Sequence, residues 1–309
     1  AVGYKALQPN TTASQNTAVG YQALGANTTG DRNTAVGYLA LSTNVDGDRN
    51  VAVGYQSLKT MDPSGNADTM NVAVGYAALE ATTTGVRNTG VGGYVMQQNT
   101  TGSDNSAFGE QALTANTTGT RNVAIGKEAL KTNTTGSHNI SFGSFALRDS
   151  TTANDNVAIG YKTLLVNTTG DKNVGVGASA LAASTIGHRN VAIGHGALQS
   201  NTTASDITAV GYNALNSNTT GYNNIGIGVS ALKACTTGGN NTATGYLSMA
   251  SLTTATENTA YGQRTLLQNS TGNQNTAVGG GALQNLSLIH ISEPTRRYAI
   301  ADAGGGGEK

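Results

Sequence analysis

Apolar and polar positions along the chain recur with a period of 17 residues. The idealised unit is Asn-Thr-Ala-Val-Gly-Tyr-x-Ala-Leu-x-x-Asn-Thr-Thr-Gly-x-x, with the leading Asn counted as position 1. That Asn falls at Asn16, Asn33, Asn50, Asn71 and Asn88 and continues to Asn275, with Ile207 as the one replacement that keeps register. The step from Asn50 to Asn71 is 21 residues, and the four extra residues lie around Met61-Asp62-Pro63-Ser64-Gly65, a turn-rich segment. A fixed period of this length is the mark of a stacked repeat architecture. The expected fold is all-β, a parallel β-solenoid (β-roll or β-helix) of 17-residue coils with two short strands per coil. It spans 1–286 as about 17 tandem repeats, followed by a non-repeat tail over 287–309.

Tolerance differs sharply between positions. Position 5 is always Gly, position 9 is Leu apart from Met96 and Met249, and position 4 is mostly Val or Ile. Alternation over a short strand predicts that Val or Ile at position 4 points into the core, where Leu at position 9 meets it from a second strand. Ala at position 3 and Gly at position 5 then form the opposite face. Such a small-residue face suits close packing against other chains around a three-fold axis; the alternative is that Gly serves only a bend. Asn at positions 1 and 12 and Gly at position 15 mark the coil corners, where stacked amides can form ladders. Two large apolar side chains per coil are too few for one repeat to stand alone, so backbone ladders between coils are expected to supply the rest. At about 4.8 Å per coil, the stack gives a rod of roughly 80 Å.

Composition supports a thin core. Aromatics are 5% of the chain, Trp is absent and Gly reaches 42 residues, which leaves too little bulk for a thick globular interior. Seventeen basic residues balance seventeen acidic ones with no like-charge block, which argues against nucleic-acid binding. No apolar run reaches the roughly 18 residues of a membrane span, so no membrane insertion is expected. The single cysteine, Cys235, reads as a substitution at position 12. The chain opens in mid-repeat at Ala1-Val2-Gly3-Tyr4, and a segment upstream is expected.

Candidate chemistry is sparse. His138, His188 and His195 occupy positions 17, 16 and 6 on different coils, which makes no metal set; His290 lies in the tail. Asp31 and Asp48 share position 16 on neighbouring coils, each followed by Arg, which reads as a charge-balanced edge. Gly90-Val91-Gly92-Gly93 is part of a coil and no helix pattern follows it, so it is no dinucleotide loop. No catalytic group and no cofactor is expected. Asn-Thr-Thr triplets such as Asn27-Thr28-Thr29 and Asn116-Thr117-Thr118 match the glycosylation sequon, but the coil corner already explains their spacing. Tyr4, Tyr21, Tyr38, Tyr55 and Tyr76 share position 6 on successive coils and form a candidate surface-contact stripe for glycans or a neighbouring fibre. Thr pairs at positions 13 and 14 form a second array, which leaves an ice-binding reading open.

The units Asn122-Val123-Ala124-Ile125-Gly126 and Asn190-Val191-Ala192-Ile193-Gly194 resemble the head repeats of trimeric autotransporter adhesins, and the repeat is also similar to the shafts of phage tail fibres. The resemblance covers 1–286. It implies a parallel β-roll, a homotrimer or filament, and an extracellular, cell-surface or virion setting. The adhesin repeats are shorter than 17 residues. The tail string from Ser287 to Arg296 resembles the translated read-through of a sequencing adapter; a capping segment is the alternative. The expected function is structural and non-enzymatic: the shaft of an extracellular filament, tail fibre or surface adhesin. The rivals are a glycan-binding or glycan-degrading tailspike and an ice-binding solenoid.

Overall fold

The computed structural model describes residues 1–63, 65, 67–286 and the backbone of 299–300. The remainder of the tail discussed above lies outside the described residues. The chain divides into two compact units, Ala1–Ile159 and Gly160–Lys309.

The first unit carries β1 (Thr17–Val19), β2 (Thr34–Val36), β3 (Val51–Val53), β4 (Val72–Val74), β5 (Thr89–Val91), β6 (Ser106–Phe108), β7 (Val123–Ile125), β8 (Ile140–Phe142) and β9 (Val157–Ile159). Each pairs in parallel with the next, position for position, as in Thr17 with Thr34, Ala18 with Ala35 and Val19 with Val36. The second unit repeats the arrangement with β10 (Val174–Val176), β11 (Val191–Ile193), β12 (Thr208–Val210), β13 (Ile225–Ile227), β14 (Thr242–Thr244), β15 (Thr259–Tyr261) and β16 (Thr276–Val278). β17 (Ala299–Ile300) adds to β16 in parallel. The parallel solenoid of 17-residue coils is therefore the fold, and no helix occurs among the described residues.

Each coil has one strand, not the two expected. The strand covers positions 2 to 4 and ends at the invariant Gly, whose φ lies between +119° and +143°. Positions 7 and 9 then adopt left-handed geometry, as at Gln22 (φ 51°) and Leu24 (φ 51°), which ends any extended run. The backbone nevertheless continues to bond from coil to coil. Gln22 N–H donates back to Tyr4 O at 2.9 Å, while Leu24 and Ala26 N–H donate forward to Ala40 O and Ser42 O, both at 3.0 Å. The second arm is thus a ladder made of turns, and its left-handed residues are retained because their amides stay paired.

The direction of the strand face also differs from expectation. From Ala18 onward, Ala at position 3 is buried in every coil that has it, whereas position 4 is half-buried or exposed: Val19, Phe108, Phe142 and Ile193 all face outward. The reason is space. Where Gly90 replaces Ala at position 3, an added Cβ would lie 2.5 Å from Leu79 Cδ1 and 3.1 Å from Met96 Cε. Leu at position 9 fills the coil interior, leaving room opposite for a side chain no larger than that of Ala or Ser and, at Gly90, not even for a methyl group. The Ala face is thereby used up inside the coil and is not a surface for other chains. The Gly at position 5 has a related cause. A Cβ there would collide with the backbone of the Gly one coil further on, as Gly37 would with Gly54 O, and the positive φ already disfavours any other residue. Close backbone approach does explain this glycine, but the approaching backbone belongs to the same chain.

Candidate functional site

Two columns of asparagine are sealed inside the coils. At position 1, Asn122 is completely buried. Its Nδ2 donates to Gly136 O at 2.8 Å and to Asn105 Oδ1 at 3.2 Å, and its Oδ1 accepts from the backbone N–H and Nδ2 of Asn139 at 3.0 and 3.2 Å. Asn33, Asn50, Asn71 and Asn88 repeat the step from Oδ1 to the next backbone N–H at 2.9 to 3.1 Å, and Asn16 begins it with Asn33 at 2.8 Å. At position 12, Asn44 and Asn116 donate to the carbonyl of Gly47 and Gly119, three residues on, and to the asparagine of the preceding coil. The second column breaks at several of the coils where asparagine gives way. Asn44, Asn133 and Asn167 precede Met61, Ser150 and Ser184, and their Oδ1 atoms have no donor. These columns hold the coil; they are not surface chemistry. The sequons fall on them: Asn27 and Asn116 bury the Nδ2 that a glycan would need and commit it to Gly30 O and Gly119 O.

Cys235 continues the second column. Its thiol is buried, lies 3.5 Å from Gly238 O and is pushed up to about 11 by that burial. It is therefore protonated and unreactive in the folded chain.

Three columns face solvent. The first is tyrosine at position 6. The rings of Tyr4, Tyr21, Tyr38, Tyr55 and Tyr76 stack in order, with centroids 4.9 to 5.3 Å apart and planes within 18° of parallel. Tyr94 extends the stack at 5.1 Å with a tilt of 58°. Repeat reading missed Tyr94 because it stands at position 7, next to Gly93; the aromatic side chain reaches the vacancy that the glycine leaves. Burial among these rings, then Tyr94, Tyr55 and Glu80, push the Tyr76 hydroxyl above its ordinary value. Because each ring covers its neighbour's face, the column offers solvent its edges. A sugar that stacks on an open aromatic face finds little purchase along it.

The second outward column is the apolar side chain at position 4, flanked by Thr, Val or Ile at position 2. In the first unit it runs through Val19, Val36, Val91, Phe108, Phe142 and Ile159, each more than a third exposed. The third is the polar edge at positions 16 and 17. Arg87 forms a two-pronged pair with Asp104, and Arg189 with Asp206. In both, the guanidinium holds the carboxyl below its usual range. Position 16 is less permissive than it reads. Its side chain often accepts the backbone N–H of the preceding coil, as Asp48 does from Asp31 at 2.6 Å, Ser137 from Thr120 at 3.0 Å and His188 Nδ1 from Asp171 at 2.9 Å. At position 13 the Thr hydroxyls are also spoken for: Thr100 Oγ1 donates to Thr117 O and Thr117 Oγ1 to Thr134 O, both at 3.0 Å.

The histidines among the described residues stay apart. His138 Nδ1 lies 3.8 Å from Asp155, and His195 stacks on Tyr212. Among the described residues no group of three His, Cys, Asp or Glu is placed to hold a metal, and no helix is long and apolar enough to cross a membrane. No protein-family model, no curated protein and no solved structure matches the chain.

Proposed function

We propose that the chain is the structural, non-enzymatic shaft of an extracellular filament, a phage tail fibre or a surface adhesin, and that it works by self-association. The observation that carries this reading is the outward apolar column at position 4, set in the same place on coil after coil. Exposed apolar strips of this regularity call for a cover. A second copy of the same chain is the natural one, because only a partner with the same coil spacing meets every side chain in the column. From position 2 to position 6 the strip is roughly 13 Å wide, and over β1 to β9 it is about 43 Å long, at ~3.3 Å per residue and ~4.8 Å per coil. The footprint is then roughly 560 Å² per copy and about 1,100 Å² for a pair, close to the smallest specific interfaces. Three copies around an axis divide each strip between two neighbours and bury roughly 1,700 Å² in all, which brings a homotrimer into the range of standard specific assemblies.

Light-scattering mass of the purified chain tests this. A trimer or larger assembly at micromolar concentration is expected, and a stable monomer would overturn the self-association. Incubation with cell-surface polysaccharides separates the shaft from a degrading tailspike: measurable turnover of a glycan sinks the non-enzymatic reading.

A further inference from the structure

We propose that the tyrosine column of the first unit is an oxidative cross-linking site, at which neighbouring coils become joined by dityrosine bonds. Coupling of two tyrosines requires two phenoxyl radicals close enough to meet before either is quenched. Tyr4, Tyr21, Tyr38, Tyr55 and Tyr76 hold their rings 4.9 to 5.3 Å apart and nearly parallel, and Tyr94 adds a sixth at 5.1 Å. All six are exposed in the single chain, between 39% and 61%, so an oxidant reaches them before a second copy covers the strip and the side chains have room to turn edge to edge. The backbones beneath them are fixed by the coil ladder, so the pairs are set in advance. The second unit supplies the internal contrast. There, from the coil at Asn173 onward, position 6 holds Ala178, His195, Tyr212, Val229, Tyr246, Gln263 and Gly280, and no two of these tyrosines stand on consecutive coils.

The chemistry balances with a haem peroxidase and hydrogen peroxide as the oxidant. Each phenol gives up one electron and one proton. The two radicals form one carbon–carbon bond between ring positions ortho to the hydroxyls, and both rings recover aromaticity as the displaced hydrogens return to the oxygens as protons. One peroxide takes up the two electrons and two protons and leaves as two waters. The product has lost two hydrogens and carries a covalent rung between residues 17 apart, 21 between Tyr55 and Tyr76, or 18 between Tyr76 and Tyr94. A column of such rungs fastens the coil stack along its outer edge.

The test treats the full chain with a haem peroxidase and hydrogen peroxide, then reads dityrosine fluorescence, intact mass and cross-linked peptides. The expected result is a loss of two hydrogens per link, with links mapped between consecutive tyrosines of the column. The triple variant Tyr21→Phe, Tyr55→Phe, Tyr94→Phe keeps the stacked rings but leaves phenols two coils apart, roughly 10 Å. Its links within one chain should vanish while Tyr4, Tyr38 and Tyr76 remain oxidisable. Equal dityrosine in the variant and the parent would overturn the proposal. So would links that fall mainly on Tyr161, Tyr212 and Tyr246, or mainly between chains.

Discussion

Replacing Asn122 with alanine removes the middle of an asparagine column and leaves a defined set of broken bonds. Gly136 O keeps a donor, because Asn133 Nδ2 also reaches it at 2.9 Å. Asn105 Oδ1 keeps the backbone N–H of residue 122 at 2.9 Å. The group left stranded is the backbone N–H of Asn139, which now faces a methyl group inside a sealed coil. An orphaned buried donor costs about 1–3 kcal/mol, and the bonds lost outright add about 0.5–1.5 kcal/mol. A destabilisation of roughly 2–4 kcal/mol follows, local to the coils on either side because repeat arrays are held by nearest-neighbour terms. Asn122→Asp is the sharper probe. A carboxyl there still accepts from Asn139, but its second oxygen faces Gly136 O and Asn105 Oδ1, both acceptors. Only the protonated acid can donate to them, and burial also disfavours the charge. The folded-state pKa is therefore raised above the unfolded value. The stability of this variant should be greatest below the unfolded Asp value of about 3.9 and fall as pH rises from there through the folded pKa. Urea melts between acid and neutral pH, with hydrogen exchange at residue 139, check both variants. An alanine variant as stable as the parent, or an aspartate variant with the pH profile of the parent, would refute the account of the column.

Other substitutions follow the same geometry. Gly126→Ala places a Cβ 2.7 Å from the Gly143 carbonyl carbon at φ +127° and should cost more than about 3 kcal/mol in thermal or urea melts. Gly136→Ala at position 15 brings a Cβ against Ala153 O and Asn133 Oδ1 and should cost about 1–3 kcal/mol in the same melts, less than Gly126→Ala because its φ is not positive and Ala153 holds the same position one coil away. Val36→Lys together with Val53→Lys should drop the light-scattering mass to that of a monomer while leaving the circular dichroism spectrum unchanged; assembly that survives both lysines removes the strand face as the interface. The Cys235 thiol should react with a thiol probe at neutral pH only as the second unit unfolds, so labelling in denaturant should follow the unfolding curve.

The period, the parallel stacking and the corner asparagines were legible because each leaves a one-dimensional trace: a fixed spacing and a residue type that recurs at it. The face of the strand was not legible, and the reason is physical. Alternation divides Thr17, Ala18 and Val19 into two sides without saying which side is inside, and the usual rule that the larger apolar residue goes in fails when the coil is thin. Leu24 and its counterparts occupy the interior from the other arm, so the strand contributes only a methyl group there and Val19 is turned out. The second arm was misread for a kindred reason. Leucine at positions such as Leu24 and Leu41 carries no mark of left-handed geometry, and only the amide bonds to the neighbouring coils, invisible in the residue string, make φ near +50° tenable. Both misreadings point the same way. A large apolar residue that recurs along a repeat need not belong to its core; in this chain the one at position 4 stays outside, and the inward alanine and leucine, with the sealed asparagines, are what leave it free to face a partner.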